Sequence, residues 1–218
     1  MRKIIVGEFL SLDGVMQAPG SSEEDRAEGF TQGGWTMPYW HDDIGMQIFG
    51  SMQAADALLL GRKTYQGFEA AFASLPAGDP FVDQMNNTTK YVVSTTLEKA
   101  EWQNSTLING NVAEEIRKIK ELPGKNISIT GSSQLIHSLL PHDLIDEYEL
   151  LVYPVVLGNG KRLFPTGIDK KLKLVESKSF PTGVVWLLAC ILLGCSGQLR
   201  AGEAPGQTED ELGLPFVG

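Results

Sequence analysis

The chain has 218 residues, 18 Lys plus Arg against 27 Asp plus Glu, a formal net charge of −9, and 42% hydrophobic residues. That length suits one domain, or one domain with an appendage, and is enough to bury a full core. An acidic balance without a clustered basic block disfavours nucleic acid as a partner, because binding by bulk electrostatics needs grouped Lys and Arg.

The first apolar run (MRKIIVGEFL) is broken at Gly7 and Glu8 and reads as a first strand, not as a secretory signal. The longest apolar run, residues 184–193, has ten residues, about half of what a bilayer-spanning helix needs. A cytoplasmic protein with no membrane partner is therefore expected. Cys190 and Cys195 form a C-x4-C pair without His partners. That falls short of a zinc site and reads as two unpaired thiols, so no metal is expected.

Runs rich in Val and Ile at 3–10, 57–60, 90–94, 127–130, 147–155 and 180–188 predict strands. Helical periodicity predicts helices over 40–53, 112–121 and 132–140, the second stopped by Pro123-Gly124. The alternation is that of a mostly parallel sheet covered by helices. Residues 18–36, rich in Gly, Ser and acids, predict a long loop of the kind that covers a site. Residues 196–218 are polar, with Gly, Pro and four acids against one Arg. The expected division is a folded domain over 1–188 and a tail over 189–218 that lies outside the fold.

Four candidate sites stand at predicted strand ends, where open α/β sheets bind ligands. Ser11-Leu12-Asp13-Gly14 offers a hydroxyl and a carboxylate, or is simply a turn. Gly61-Arg62-Lys63-Thr64 combines backbone donors at a helix opening with two cations and a hydroxyl, which suits a phosphate, or is a helix start with solvated cations. Ser94-Thr95-Thr96 could receive a second phosphate or cap a turn. Gly131-Ser132-Ser133 could lie against a pyrophosphate, or Ser132 could cap the helix that follows. Trp35, Tyr39 and Trp40 flank the long loop and could stack on a planar ligand or fill a core.

Six segments in order carry a resemblance: Ser11 to Gly14, Leu59 to Tyr65, Tyr91 to Ser94, Gly131 to Leu135, Leu144 to Tyr148 and Pro154 to Gly160. Together they resemble the reductase domain of riboflavin biosynthesis and its stand-alone relatives, over about residues 1–185. The resemblance implies a dihydrofolate reductase-like fold, a three-layer α/β/α arrangement around a mostly parallel sheet of about eight strands. It also implies NADPH as cofactor, a hydride passed to a small polar heterocyclic or ribityl-type substrate, and a homodimer. By position it gives Gly61, Arg62, Lys63, Thr64, Ser94, Thr95 and Thr96 to the adenosine and phosphates, and Gly131, Ser132, Ser133 and Leu135 to the pyrophosphate. Ser11, Asp13, Trp40 and Tyr65 fall to the substrate, with Asp13 the catalytic candidate.

Departures from the pattern are Val15, where riboflavin-pathway enzymes carry a basic residue, the absence of a fused deaminase, and Ser132 as the second residue of a Gly-Gly turn. Asp42 and Asp43 lie near the place where dihydrofolate reductases keep a helix-start acid, and neither is assigned as proton donor. Two alternatives stay open: a nucleotide-binding module without turnover, and dihydrofolate reductase activity proper.

Overall fold

A computed structural model describes residues 1–192. The tail expected beyond the domain therefore lies almost wholly outside the described residues. Eight strands form one sheet in the order β4-β3-β2-β5-β1-β6-β8-β7. These are β1 (Ile4–Ser11), β2 (Ala55–Gly61), β3 (Thr89–Val93), β4 (Ser105–Ile108), β5 (Asn126–Ile129), β6 (Glu147–Tyr153), β7 (Leu172–Ser179) and β8 (Val185–Ile191). The first six run parallel, while β8 lies antiparallel to β6 and β7 to β8.

Alternation along each strand builds two cores. Ile4, Val6 and Leu10 of β1 and Ile127 and Ile129 of β5 pack against the helices α4 (Val112–Glu121) and α5 (Ser133–Leu139). On the other face, Ile44 of α1 (Asp42–Gln53) meets Leu151, Tyr153 and Trp186. Leu58, Leu60 and Val92 meet Tyr65 of α2 (Arg62–Phe72) and Met85 of α3 (Pro80–Asn87). This is the three-layer α/β/α arrangement that the motifs imply.

Two strands and one helix escaped the sequence reading. β4 has only four residues, and β7 carries Lys173, Glu176 and Lys178 among its apolar residues because it is an outer strand with exposed side chains. Short or half-solvated edges lack the apolar run that marks a buried strand. α3 is set by Asp79, which accepts from the N–H of Phe81 and Val82, with Pro80 in the first turn. β8 continues to Ile191, three residues past the expected boundary, because Cys190 and Ile191 still pair with β6 and β7. Cys190 is disulfide-bonded, which corrects the expectation of an unpaired thiol there; Cys195 lies outside the described residues. Among the described residues no helix is long and apolar enough to cross a membrane.

Candidate functional site

Because β3, β2, β5, β1 and β6 are parallel, the turns after them emerge at one edge of the sheet. Val6 pairs with Ile129, Leu58 with Ser128, and Gly61 with Val93. Continuing that register puts Glu8, Gly131 and Gly61 in one row, with Ser94 just beyond it. The register thus brings three of the four candidate turns side by side.

Their contact is close. An added Cβ on Gly61 would lie 2.4 Å from Ser132 Oγ, and one on Gly131 would lie 2.8 Å from Thr64 Oγ1. Gly131 has φ +73°, the left-handed region that favours glycine. The missing side chains admit Ser132 and Thr64, and so draw the openings of α2 and α5 together. Ser132 accepts from Leu135 N–H at 3.4 Å as the α5 cap, so its hydroxyl does perform the capping role.

α2 opens differently. Its N-cap is Gly61, which has no side chain to satisfy the first N–H groups, and its first turn holds no acid but Arg62 and Lys63. Unpaired N–H groups with two cations beside them form an anion-binding end. Arg62 donates to Gln66 at 3.1 Å, and Lys63 acts electrostatically on Asp25 of the long loop. In the next turn, Ser94 Oγ accepts from Thr96 N–H at 3.1 Å and Leu97 N–H at 2.9 Å, leaving Thr95 and Thr96 exposed.

The fourth turn lies on the far side of β5. Ser11 Oγ donates to Asp13 at 2.7 Å, and the Asp13 carboxylate accepts the N–H groups of Leu157 (3.1 Å) and Gly158 (2.9 Å). Arg162 adds a 3.4 Å ion pair and donates to the Asp13 carbonyl. Burial pushes the carboxyl up, but the Ser11 hydroxyl and the two N–H groups outweigh it and hold Asp13 at about 2. His137 on α5 reaches the carbonyls of Arg162 and Leu163, both at 3.0 Å, tying the same loop down.

The long loop is packed onto this edge. Trp35 Nε1 donates to the Gln17 carbonyl at 2.8 Å, Gln17 donates to the carbonyls of Asp25 and Ala27 at 3.1 Å, and Lys161 pairs with Asp25 at 2.5 Å. Trp35, Tyr39 and Phe9 set their rings edge-on to Tyr153, with centroids 5.4 to 6.0 Å away. Trp40, just before α1, stands 54% exposed.

Comparison with known proteins gives the family and the fold. The RibD C-terminal domain model matches residues 2–186. The chain belongs to the RibD C-terminal domain family. It is 32% identical over 197 residues to the uncharacterised Bacillus subtilis protein YyaP, covering 86% of this chain and 94% of that one. Against YwjB of the same organism it is 28% identical over 186 residues, covering 84% and 95%. In fold it resembles a protein ascribed to riboflavin biosynthesis from Shewanella sp. PV-4 (TM-score 0.61, 19% identity, 87% and 98% covered). It also resembles a pyrimidine reductase-like protein from Corynebacterium diphtheriae (0.58, 12%, 88% and 92%).

Two residues of this RibD C-terminal domain stand elsewhere than their motifs imply. Tyr65 is 1% exposed and packs in the core beneath β2 and β3. Its hydroxyl accepts from Trp102 N–H at 2.8 Å and donates to Glu69 at 3.2 Å, so it is a core tyrosine and not a substrate contact. Leu135 is 4% exposed among Ile136, Leu139 and the β1 and β5 side chains, and offers the Gly131 turn no exposed side-chain surface. Helix periodicity explains both, since Tyr65 is the fourth residue of α2 and Leu135 the third of α5, each on the sheet-facing side of its first turn.

Two residues were missed. Arg162 lies on the loop after β6 and meets Asp13 only through the tertiary fold. Glu8 occupies an inward position of β1, on the face of Ile4, Val6 and Leu10, and is 7% exposed. A carboxyl inside an apolar alternation was the available signal, because a buried charge is costly unless it has a purpose. Glu8 Oε1 accepts the Gly131 N–H at 2.5 Å. A separate cavity of about 540 Å³, lined by residues including Gln53, Asp56, Thr88 and Lys125, lies at the opposite edge of the sheet and touches none of these turns.

Proposed function

We propose that this RibD C-terminal domain is an NADPH-dependent reductase acting on a small polar heterocyclic or ribityl-type substrate. The observation that carries this reading is the uncapped opening of α2, with Arg62 and Lys63, held against the Gly131-Ser132 turn. Free helix N–H groups, two cations and a small-residue turn fit an anionic dinucleotide. Arg62, Lys63 and Thr64 would take its phosphates, Thr95 and Thr96 with Ser94 the adenosine end, and Gly131, Ser132 and Ser133 the pyrophosphate. NADPH, when bound, supplies the hydride from its nicotinamide.

The chain's own work is to orient and to exclude water. Ser11 and Asp13 hold the turn that faces the substrate, and Trp40 offers an exposed ring for stacking. Asp13 is ionised at neutral pH. It therefore accepts hydrogen bonds and leaves the proton of the reduction to solvent. That ionised state also favours a second reading, a nucleotide-binding module without turnover. The protein is further proposed to be a cytoplasmic homodimer, with β7, an outer strand bearing exposed Leu174 and Val175, supporting self-association.

Nucleotide fluorescence with NADPH and NADH tests the cofactor. Binding of NADPH is expected, and binding of neither nucleotide would sink the reading. Arg62→Ala is expected to weaken NADPH more than NADH if Arg62 meets the 2′-phosphate; equal losses would remove that role. NADPH consumption across pterins, folates and pyrimidine ribityl phosphates separates the reductase from the module. Light scattering should give the mass of a dimer.

A further inference from the structure

Several buried polar groups among the described residues are used by neither the motifs nor the proposed chemistry, and of these Glu8 is the one bonded to the Gly131 turn. It stands on the central strand β1, two residues past the last β1/β5 pair, Val6 with Ile129, and reaches the Gly131 turn directly through the 2.5 Å bond from Gly131 N–H. That turn has little slack. Gly131 is wedged against Thr64, and Ser132 against Gly61, so a shift of Gly131 would be passed to the openings of both α2 and α5.

We propose that Glu8 is a positioning residue of the nucleotide cleft, fixing the Gly131 turn through its N–H and holding a proton whenever an anionic dinucleotide lies beside it. This rests on the reading of the cleft as a dinucleotide site.

The electrostatics run in the same direction. Burial pushes the Glu8 carboxyl up to about 8 against the lowering effect of the Gly131 N–H, and Glu24 of the long loop adds to the rise. Glu24 is the charged group that adds to the rise; on the Glu8 face the neighbouring strands present the apolar Ile127 and Ile129 of β5 and Leu150 of β6. Beyond Glu24, the loop's Asp25 is balanced by Lys161 and Lys63. A phosphate at the Gly131 turn would be one more negative charge near Glu8, and would raise the cost of ionising it further. Binding and protonation are then linked: the dinucleotide favours the protonated protein, and affinity falls once the free protein loses that proton.

The test is a pH series of NADPH affinity for the wild type, Glu8→Gln and Glu8→Ala, with thermal unfolding at each pH to show that each variant is folded. Alongside it, NMR follows the Gly131 amide of the ligand-free protein. Wild-type affinity is expected to fall as pH passes about 8, up to about tenfold per pH unit. Glu8→Gln keeps an acceptor for Gly131 N–H and should bind with a flat profile, whereas Glu8→Ala should bind more weakly at every pH. The Gly131 amide should shift with a midpoint near 8 in the wild type and stay still in Glu8→Gln. NADPH binding with the same pH slope in Glu8→Gln, or an undiminished affinity in Glu8→Ala, would overturn the proposal. A titrating Gly131 amide in a protein that does not bind NADPH would instead overturn the dinucleotide reading, and this proposal with it.

Discussion

Gly61 and Ser132 share one seam: a Cβ added to Gly61 would lie 2.4 Å from the Ser132 hydroxyl oxygen and 3.2 Å from the Ser132 Cβ. The end of β2 and the cap of α5 touch there with no room for a methyl group. Gly61→Ala is expected to destabilise the fold by about 1–3 kcal/mol, the usual cost of overpacking. Ser132→Gly in the same chain should recover much of that loss, because it removes the atoms in collision. Urea unfolding of the two single variants and the double variant measures the coupling, and additive losses would show that the seam is not where the strain falls.

Asp13 acts as a clasp between the first turn and the loop after β6. Its carboxyl is lowered from 3.8 to about 2 by the Ser11 hydroxyl and the N–H groups of Leu157 and Gly158, which outweigh burial. The stabilisation is present above about 3.8 and is lost as pH falls towards 2. Asp13→Ala should cost about 1 kcal/mol at neutral pH, discounted for the partly solvated position of the carboxylate. The gap between variant and wild type should narrow under acid, which urea titrations in a pH series would read.

Tyr65→Phe separates a core role from a ligand role. Removing the hydroxyl leaves the Trp102 N–H without its acceptor in the buried cluster beneath β2 and β3. A loss of about 1–3 kcal/mol in stability is expected, with NADPH affinity unchanged. A weakened affinity at unchanged stability would return Tyr65 to the cleft.

Glu8 has the opposite pH signature to Asp13. Its carboxyl rises from an ordinary 4.5 to about 8 on folding. Between those values the unfolded chain releases the proton while the folded chain keeps it, so stability falls as pH rises through that window. Glu8→Gln holds no such proton and should remove the decline. Denaturant midpoints at about pH 5 and about pH 8 test this, and equal slopes for variant and wild type would place the pH dependence on other groups.

The order of turns and the helices around them were legible in the chain because they depend on local chemistry. Periodicity marked α4 over 112–121, and apolar runs marked six strands to within a few residues of their observed ends. β4 and β7 were illegible, since edge strands bury little and carry no continuous apolar signal. Tyr65 and Leu135 illustrate the limit of motif reading: each stands beside residues of a candidate turn, yet helical geometry turns each side chain into a core.

By itself the sequence determined the α/β class, the parallel order of strand and helix, and the four small-residue turns, because each follows from hydrophobic period and backbone freedom over a few residues. The tertiary structure decided which side chains meet. Glu8 and Gly131 are 123 positions apart in the chain, and Arg162 and Asp13 are 149 apart. Such pairings depend on strand register and on a loop folding back across β1, neither of which has a local signature. A carboxyl's proton affinity follows the same rule, since it is fixed by the burial and donors that distant segments bring to it. Two carboxylates five residues apart therefore titrate on opposite sides of neutrality.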